Sequence, residues 1–371
     1  MEGNSESAVI RSLKRFRDKY FLNVRSDPSG VQQTADKEEE RTGEGGYLDS
    51  LPVDLQFRIM SFLTPQDLCR LGGTSCYWRS VVRDPLLWRY FLLRDMPLWP
   101  SVDHTSMPNL EALEAPLFRD EDDTSQDFMA DYLRGSPACR RQWRRPKSAH
   151  RVTSFFQSLV VPTEPRFAMF GPGLEQLDVS LVAKLMHSPN VLPVAAGIPQ
   201  RQIEGIGSGI SFMFNDQHRF NILTLYSNNR MERERARAEQ QNVQSKLFVQ
   251  DDPNCCIVPQ VQEVCRAVDG FIYAANSEPG RGDKREMERA QIRAMLDPAL
   301  GPSSRPILVL SCVAREEPGG ARTRTPCVYL AQQLNLQILP NPWMVQDIVN
   351  ESLTGLLDGI GWLLKASGLR L

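Results

Sequence analysis

Residues 48–95 constrain this chain more than any other stretch: they read LDSLPVDLQFRIMSFLTPQDLCRLGGTSCYWRSVVRDPLLWRYFLLRD. Leu51-Pro52 opens a helix whose apolar residues recur at Leu55, Ile59 and Leu63. A spacing of four gives one helical stripe. Thr64-Pro65 stops that helix and caps the next, which carries Leu68 and Leu71. A third apolar set follows at Trp78, Val81 and Val82, then Leu86, Leu87 and Trp88. So short a helical array cannot bury this much apolar surface on itself. It is marginal unless a partner covers it.

The chain has 371 residues, room for two domains. Its net charge of −2 supplies no bulk field for nucleic acid or a membrane surface. No apolar run is long enough to span a bilayer, and no secretory leader is read. The eight cysteines form no CxxC pair, and the four histidines do not cluster with them. Neither a zinc site nor a disulfide framework is expected. The expected setting is the reducing cytosol, with the nucleus also open.

Residues 1–47 read as a tail. Val9, Leu13, Phe16 and Tyr20 share one face of an amphipathic helix, and Ser26 to Gly46 has linker composition. That face suits docking, self-association as a homodimer, or a membrane surface; a frayed tail fits equally. Residues 96–153 read as a helical and irregular linker, with a basic cluster at Arg140, Arg141, Arg144, Arg145 and Lys147 around Trp143. Nuclear targeting, a phosphate patch and a solvated linker are all compatible with it.

From residue 154 the pattern changes. Arg166 to Phe170 is a short strand followed by Gly171-Pro172-Gly173, and a helical pattern then runs through Leu174, Leu177, Leu181 and Leu185. Ile210–Phe214 and Phe220–Tyr226 read as a hairpin. Residues 230–246 are charged and helical in pattern, and 257–267 a further helix. Gly270–Ala275 and Pro306–Leu310 are continuous apolar runs of the buried parallel-strand type. Trp343 to Gln346 is the last strand, and Leu353 to Leu364 a closing helix. Strands alternating with helices imply a doubly wound α/β sheet.

The 48–95 pattern resembles an F-box: Leu-Pro at the start, the apolar ladder, a Trp in the third helix, and a closing Asp84-Pro85-Leu86-Leu87-Trp88. The resemblance implies docking on the Skp1 adaptor of a cullin–RING ubiquitin ligase. It assigns Leu51, Pro52, Leu55, Ile59, Leu63, Leu68, Trp78 and Trp88 to facing that adaptor or holding the box together. An ordinary three-helix core is the alternative.

The second half resembles small GTPases of the Arf-like branch across residues 165–365. The carriers are the element order, Val268 to Ser277, and Leu330 to Leu336 followed by Thr354 to Leu363. The nucleotide chemistry does not follow. A P-loop needs a second Gly, a Lys and a Ser/Thr at fixed offsets, so that backbone N–H groups and a cation hold phosphate. After Gly171 those offsets hold Gln176, Leu177 and Asp178. An Asp-x-x-Gly would fall near Tyr226 to Asn229, and Asn-Lys-x-Asp after Leu310; both are missing. The expectation is therefore a multidomain chain. An all-α F-box (48–95) and helical linker (96–153) precede a GTPase-like domain (154–371) without nucleotide, metal or other cofactor.

Gly205-Ile-Gly207-Ser-Gly209 precedes a strand rather than a helix, so a flexible turn is favoured over a dinucleotide loop. Arg281-Gly282-Asp283 resembles an integrin signal, for which a cytosolic chain has no receptor. No catalytic constellation can be assembled.

The two resemblances together imply a non-catalytic substrate receptor of an SCF ligase. Its partners would be Skp1 and a cullin, and its substrates a telomere-repeat-binding factor and D-type cyclins. Substrate capture is expected by strand addition along Ile210, Phe212, Met213 and Phe214, at an edge of the sheet. Trp343 and Trp362 mark a second surface. A divergent guanine-nucleotide-binding protein and a non-catalytic scaffold are the rival classes.

Overall fold

The computed structural model describes residues 48–115, 126–143, 164–195, 201–203, 207–225, 247–251, 254–279, 285–316, 324–369 and 371. The readings for the N-terminal tail, residues 230–246, Arg281 to Asp283, and Arg144 to Lys147 lie outside the described residues. The chain forms two compact units. One takes Met1–Met96 with Pro108–Leu133, and the other Pro97–Met107 with Arg134–Leu371. The stretch 96–153, expected as one linker, is thus divided between them.

The helical unit begins with α1 (Val53–Met60), α2 (Pro65–Gly72), α3 (Cys76–Val82) and α4 (Pro85–Asp95). Each break is written in capping chemistry. The Thr64 side chain accepts from Asp67 N with Pro65 at N1, Ser75 accepts from Trp78 N, and Asp84 accepts from Leu86 N with Pro85 at N1. The core is aromatic: the Trp88 ring lies 5.9 Å from Phe91 and 5.5 Å from Tyr132. Its Nε1 donates to Val82 O at 2.7 Å, so the one polar atom of the ring is satisfied inside. Tyr132 comes from α6 (Phe128–Gly135), and α5 (Leu110–Glu114) closes on α4 where Arg89 Nε donates to Leu113 O at 3.0 Å.

The second unit is an eight-stranded mixed sheet in the order β1-β10-β9-β8-β2-β5-β4-β3. Its members are β1 (Ser101–Asp103), β2 (Arg166–Phe170), β3 (Arg201–Ile203), β4 (Gly207–Phe214), β5 (His218–Leu225), β8 (Gly270–Asn276), β9 (Ile307–Val313) and β10 (Trp343–Val349). The five strands β10-β9-β8-β2-β5 run parallel, and β1, β4 and β3 join antiparallel to their neighbours. β6 (Phe248–Asp251) and β7 (Asn254–Ile257) make a separate hairpin. The helices are α7 (Pro137–Trp143), α8 (Leu181–His187), α9 (Pro259–Ala267), α10 (Glu286–Met295), α11 (Cys327–Gln333) and α12 (Leu356–Ala366).

Every residue of β8 and β9 is buried. This is why they read as unbroken apolar runs, since helices cover both faces. Ile272 and Ala274 enter the core shared with α8 and α12. Tyr273 points the other way, its hydroxyl donating to Glu288 of α10 at 2.8 Å. The β4–β5 turn places Asn215 and Asp216 at φ of +50° and +56°, where these two residue types are tolerated.

β1 has only three residues, too few for an alternation signal. Its outer edge is closed by side chains. Arg140 of α7 donates to Ser101 O at 2.8 Å, and Asp103 N donates to Ser106 Oγ at 2.8 Å. Arg140 also pairs with Asp103 at 3.2 Å, both largely buried. Burial raises the Asp103 carboxyl, but hydrogen bonds from Thr105 and Ser106 and the Arg140 charge outweigh it and hold the pKa below the ordinary value. Part of the expected basic cluster is therefore structural. A Cβ on Gly135 would lie 2.5 Å from the Trp99 ring, so only glycine fits there.

Candidate functional site: the apolar helical face

α1 carries two apolar stripes. Val53, Phe57 and Met60 are buried, with Gln56 among them. Leu55 is 50% exposed, Ile59 38% and Phe62, just beyond the helix, 72%. Residues 55, 59 and 62 stand on one side at helical spacing, since Phe62 N still donates to Ile59 O. Arg58 lies over the Phe62 ring at 4.6 Å. Tyr77 adds another large exposed group beside the helix, its hydroxyl donating to Gln56 Oε1 at 2.7 Å. A folded helical unit that leaves so many large apolar groups in water is built to be covered.

The turn before α1 is held rigidly. The Gln56 amide donates to Leu48 O at 3.1 Å, Asp49 O at 3.3 Å and Leu51 O at 3.1 Å. Trp78 Nε1 donates to Asp49 Oδ1 at 2.5 Å. Half-buried Leu51 and exposed Pro52 are thereby presented at the head of the stripe. Gln56 is a positioning residue that a polarity pattern hides, because a Gln is expected outside. Replacing it in Gln56→Leu would leave three carbonyls and the Tyr77 hydroxyl without their partner. The expected cost is about 1–3 kcal/mol of stability. Thermal melting checks this, with Gln56→Glu as a companion that retains the Tyr77 acceptor.

The expected adaptor-facing residues divide. Leu51, Pro52, Leu55 and Ile59 reach the surface, and Leu63 is half-buried. Leu68, Trp78 and Trp88 do not face outward: all three are buried and hold the helices together. Phe62 and Tyr77 are surface members that the four-residue ladder missed.

The expectation at Ile210, Phe212, Met213 and Phe214 requires correction. Ile210, Phe212 and Phe214 are buried in the sheet core, Phe212 to 1%, and Met213 is half-buried. Nor is their strand an open edge. β3 pairs with its first half, and the 193–195 segment covers the rest: Ala195 N donates to Ser211 O at 2.9 Å and Met213 N to Pro193 O at 2.8 Å. With its outer polar groups taken, β4 offers no ladder to an added strand.

The loop after β2 differs from expectation as well. After a single 3-10 turn at Pro172–Leu174, α-helix starts only at Leu181, because Gly171 adopts φ +121° and the chain lies against β8. A Cβ at Gly171 would sit 2.5 Å from Ala274 O, and one at Gly173 3.0 Å from the Ala274 and Ala275 carbonyls. Leu174 and Leu177 are core residues. A loop pressed on carbonyl oxygens and filled with leucine is not a cradle for phosphate. Beyond β9, the Glu278 carboxylate accepts from Ala314 N at 3.1 Å, where a base-reading loop would stand.

Other chemistry is sparse. Burial pushes the Cys265 thiol up to about 11 and holds Cys312 and Cys327 above the ordinary range, so these thiols are poor nucleophiles. Among the described residues no group of three His, Cys, Asp or Glu converges as a metal site. Among the same residues no helix is long and apolar enough to cross a membrane.

A family model described as F-box-like matches residues 48–94, the span of α1 to α4. The chain is 47% identical to human F-box only protein 4, over 98% of this chain and 93% of that protein. It is 49% identical to the mouse protein of the same name, with the same coverage. Zebrafish F-box/LRR-repeat protein 5 is 44% identical over 52 residues only, 14% of this chain and 8% of that protein.

Proposed function

The chain belongs to the F-box only protein 4 family, and from that premise we propose that it is the substrate-recognition subunit of an SCF (Skp1–cullin–F-box) ubiquitin ligase. The observation that carries this reading is the exposed stripe Leu55, Ile59 and Phe62 on an otherwise well-packed helical unit. That stripe, with Leu51, Pro52 and Tyr77, is the surface for the Skp1 adaptor. Leu68, Trp78 and Trp88 serve it from within.

The receptor lends no catalytic group to ubiquitin transfer. It holds a substrate lysine near a charged conjugating enzyme, and the rate gain is one of proximity. Capture belongs to the α/β unit, which we read as a small-GTPase-like domain. What supports this is five parallel strands with one antiparallel hairpin strand inserted beside β5, and a glycine turn directly after β2. The rival, a guanine-nucleotide-binding protein, is disfavoured by Leu174, Leu177 and Glu278 standing where phosphate and base would bind. The substrates implied by the family resemblance are a telomere-repeat-binding factor and D-type cyclins. Self-association stays part of the proposal. The setting we propose is cytosolic, with access to the nucleus; eight free thiols support a reducing compartment.

Co-expression with the Skp1 adaptor tests the reading. A stoichiometric complex on size exclusion, lost in Leu51→Ala/Pro52→Ala, is the expected result. A folded, soluble wild type that forms no complex overturns it.

A further inference from the structure

The α/β unit contains a groove of about 940 Å³ along the outer side of α12, and its charges are unevenly partnered. Most basic groups on its walls are already engaged. Arg140 pairs with Asp103 at 3.2 Å, Arg324 with Asp347 at 3.2 Å, and Arg315 with Glu351 at 3.6 Å. Asp358 and Lys365 of α12 also line the groove, and among the described residues neither makes an ion pair. They are seven residues apart, hence on one side of the helix and about 10 Å apart along its axis.

Between these two charges the groove floor is apolar. Trp362 and Phe214 line it, and Leu357 stands exposed at its margin. Gly361 brings the helix down onto Phe214, since a Cβ there would lie 3.2 Å from Cζ of that ring. The sequence thus accepts a glycine inside a helix, a position that disfavours it, and the close approach keeps an apolar step between an acid and a base.

We infer that this groove takes a short peptide segment of the recruited substrate, with an apolar side chain on Trp362, a basic residue toward Asp358 and an acidic one toward Lys365. The inference rests on the receptor reading above. Charge complementarity sets direction as well as affinity, because the reversed peptide meets two like charges. The axial distance sets the spacing. The peptide's two charges stand about three residues apart if it is extended, or about seven if it is helical.

The test is selection of random peptides displayed on phage against the full-length wild type and the charge-swapped Asp358→Lys/Lys365→Asp. Both sites are exposed, so Skp1 binding should stay at the wild-type value, and the melting temperature should fall only slightly, because the swap sets a base in the first turn and an acid in the last turn of α12 against the helix dipole. Wild type is expected to enrich peptides with a base and an acid in one order around an apolar residue. The swapped chain should enrich the opposite order. Peptides selected on wild type should bind the swapped chain about tenfold more weakly, because two attractions become two repulsions. No enrichment, or enrichment indifferent to the swap, overturns the inference. Charge-ordered peptides from a wild type that fails to bind Skp1 would leave the groove standing and remove the ligase reading instead.

Discussion

The double variant Leu55→Asp/Ile59→Asp is expected to lose the Skp1 complex while keeping its fold. Both side chains are already partly in water, so their removal costs the free chain little. On docking they would be covered. Fully burying an aliphatic side chain contributes about 1.5–3 kcal/mol, and the half still exposed here roughly half of that. Replacement by alanine should therefore weaken the complex about ten- to a hundredfold for the pair. Aspartate goes further, because each carboxylate must enter an apolar contact without a partner. The expected loss is at least about a hundredfold in Kd, checked by calorimetric titration with purified Skp1. Phe62→Asp should behave similarly, since that ring is the most exposed large apolar group described. Undiminished binding in all three positions would remove the stripe from the interface.

The same helix shows what could be read beforehand. The ladder Leu55, Ile59, Leu63 identifies α1 as a helix, but a second set at Val53, Phe57 and Met60, spaced four and three, fits a helix equally well. Periodicity alone does not say which stripe faces inward. The structure turns the second one in and the first one out. Trp78 and Trp88 mark the box in sequence because they are its core, not because they face a partner.

In the α/β unit, the long buried runs at β8 and β9 were legible from the apolar pattern, as were the hairpin at Asn215-Asp216 and the first four residues of β10. Three features were not. β1 is short and is held by β10, whose pairing residues stand more than 240 positions away in places. The loop at Gly171–Leu177 keeps helical spacing of its leucines but holds only one 3-10 turn, at Pro172–Leu174, because those leucines answer to the β8 surface rather than to an α-helix period. The coverage of β4 by residues 193–195 comes from a segment without strand character of its own. In each case tertiary contact overrides a local pattern, and the last one removed the most attractive substrate surface.

Trp88→Ala should give the opposite signature to the surface variants. The ring is fully buried, and its loss opens a cavity among Phe91, Tyr132 and the α3–α4 turn. Truncations of this kind cost about 3–5 kcal/mol. The Val82 carbonyl also loses its donor, adding about 1–3 kcal/mol. A small helical unit draws on a total stability of about 5–15 kcal/mol, so this change consumes a large part of it. Adaptor binding should fail here too, but through unfolding. Amide hydrogen exchange separates the two causes. In Trp88→Ala the amides of α1 to α4 should lose protection while those of β8 and β9 keep theirs; in Leu55→Asp/Ile59→Asp all should stay protected. Trp88→Phe restores most of the ring but not the hydrogen bond, and should recover more than half of the lost stability. If Trp88→Ala kept full protection in α4 yet lost the adaptor, the indole would be a contact residue and the division between core and face drawn from its burial would fail.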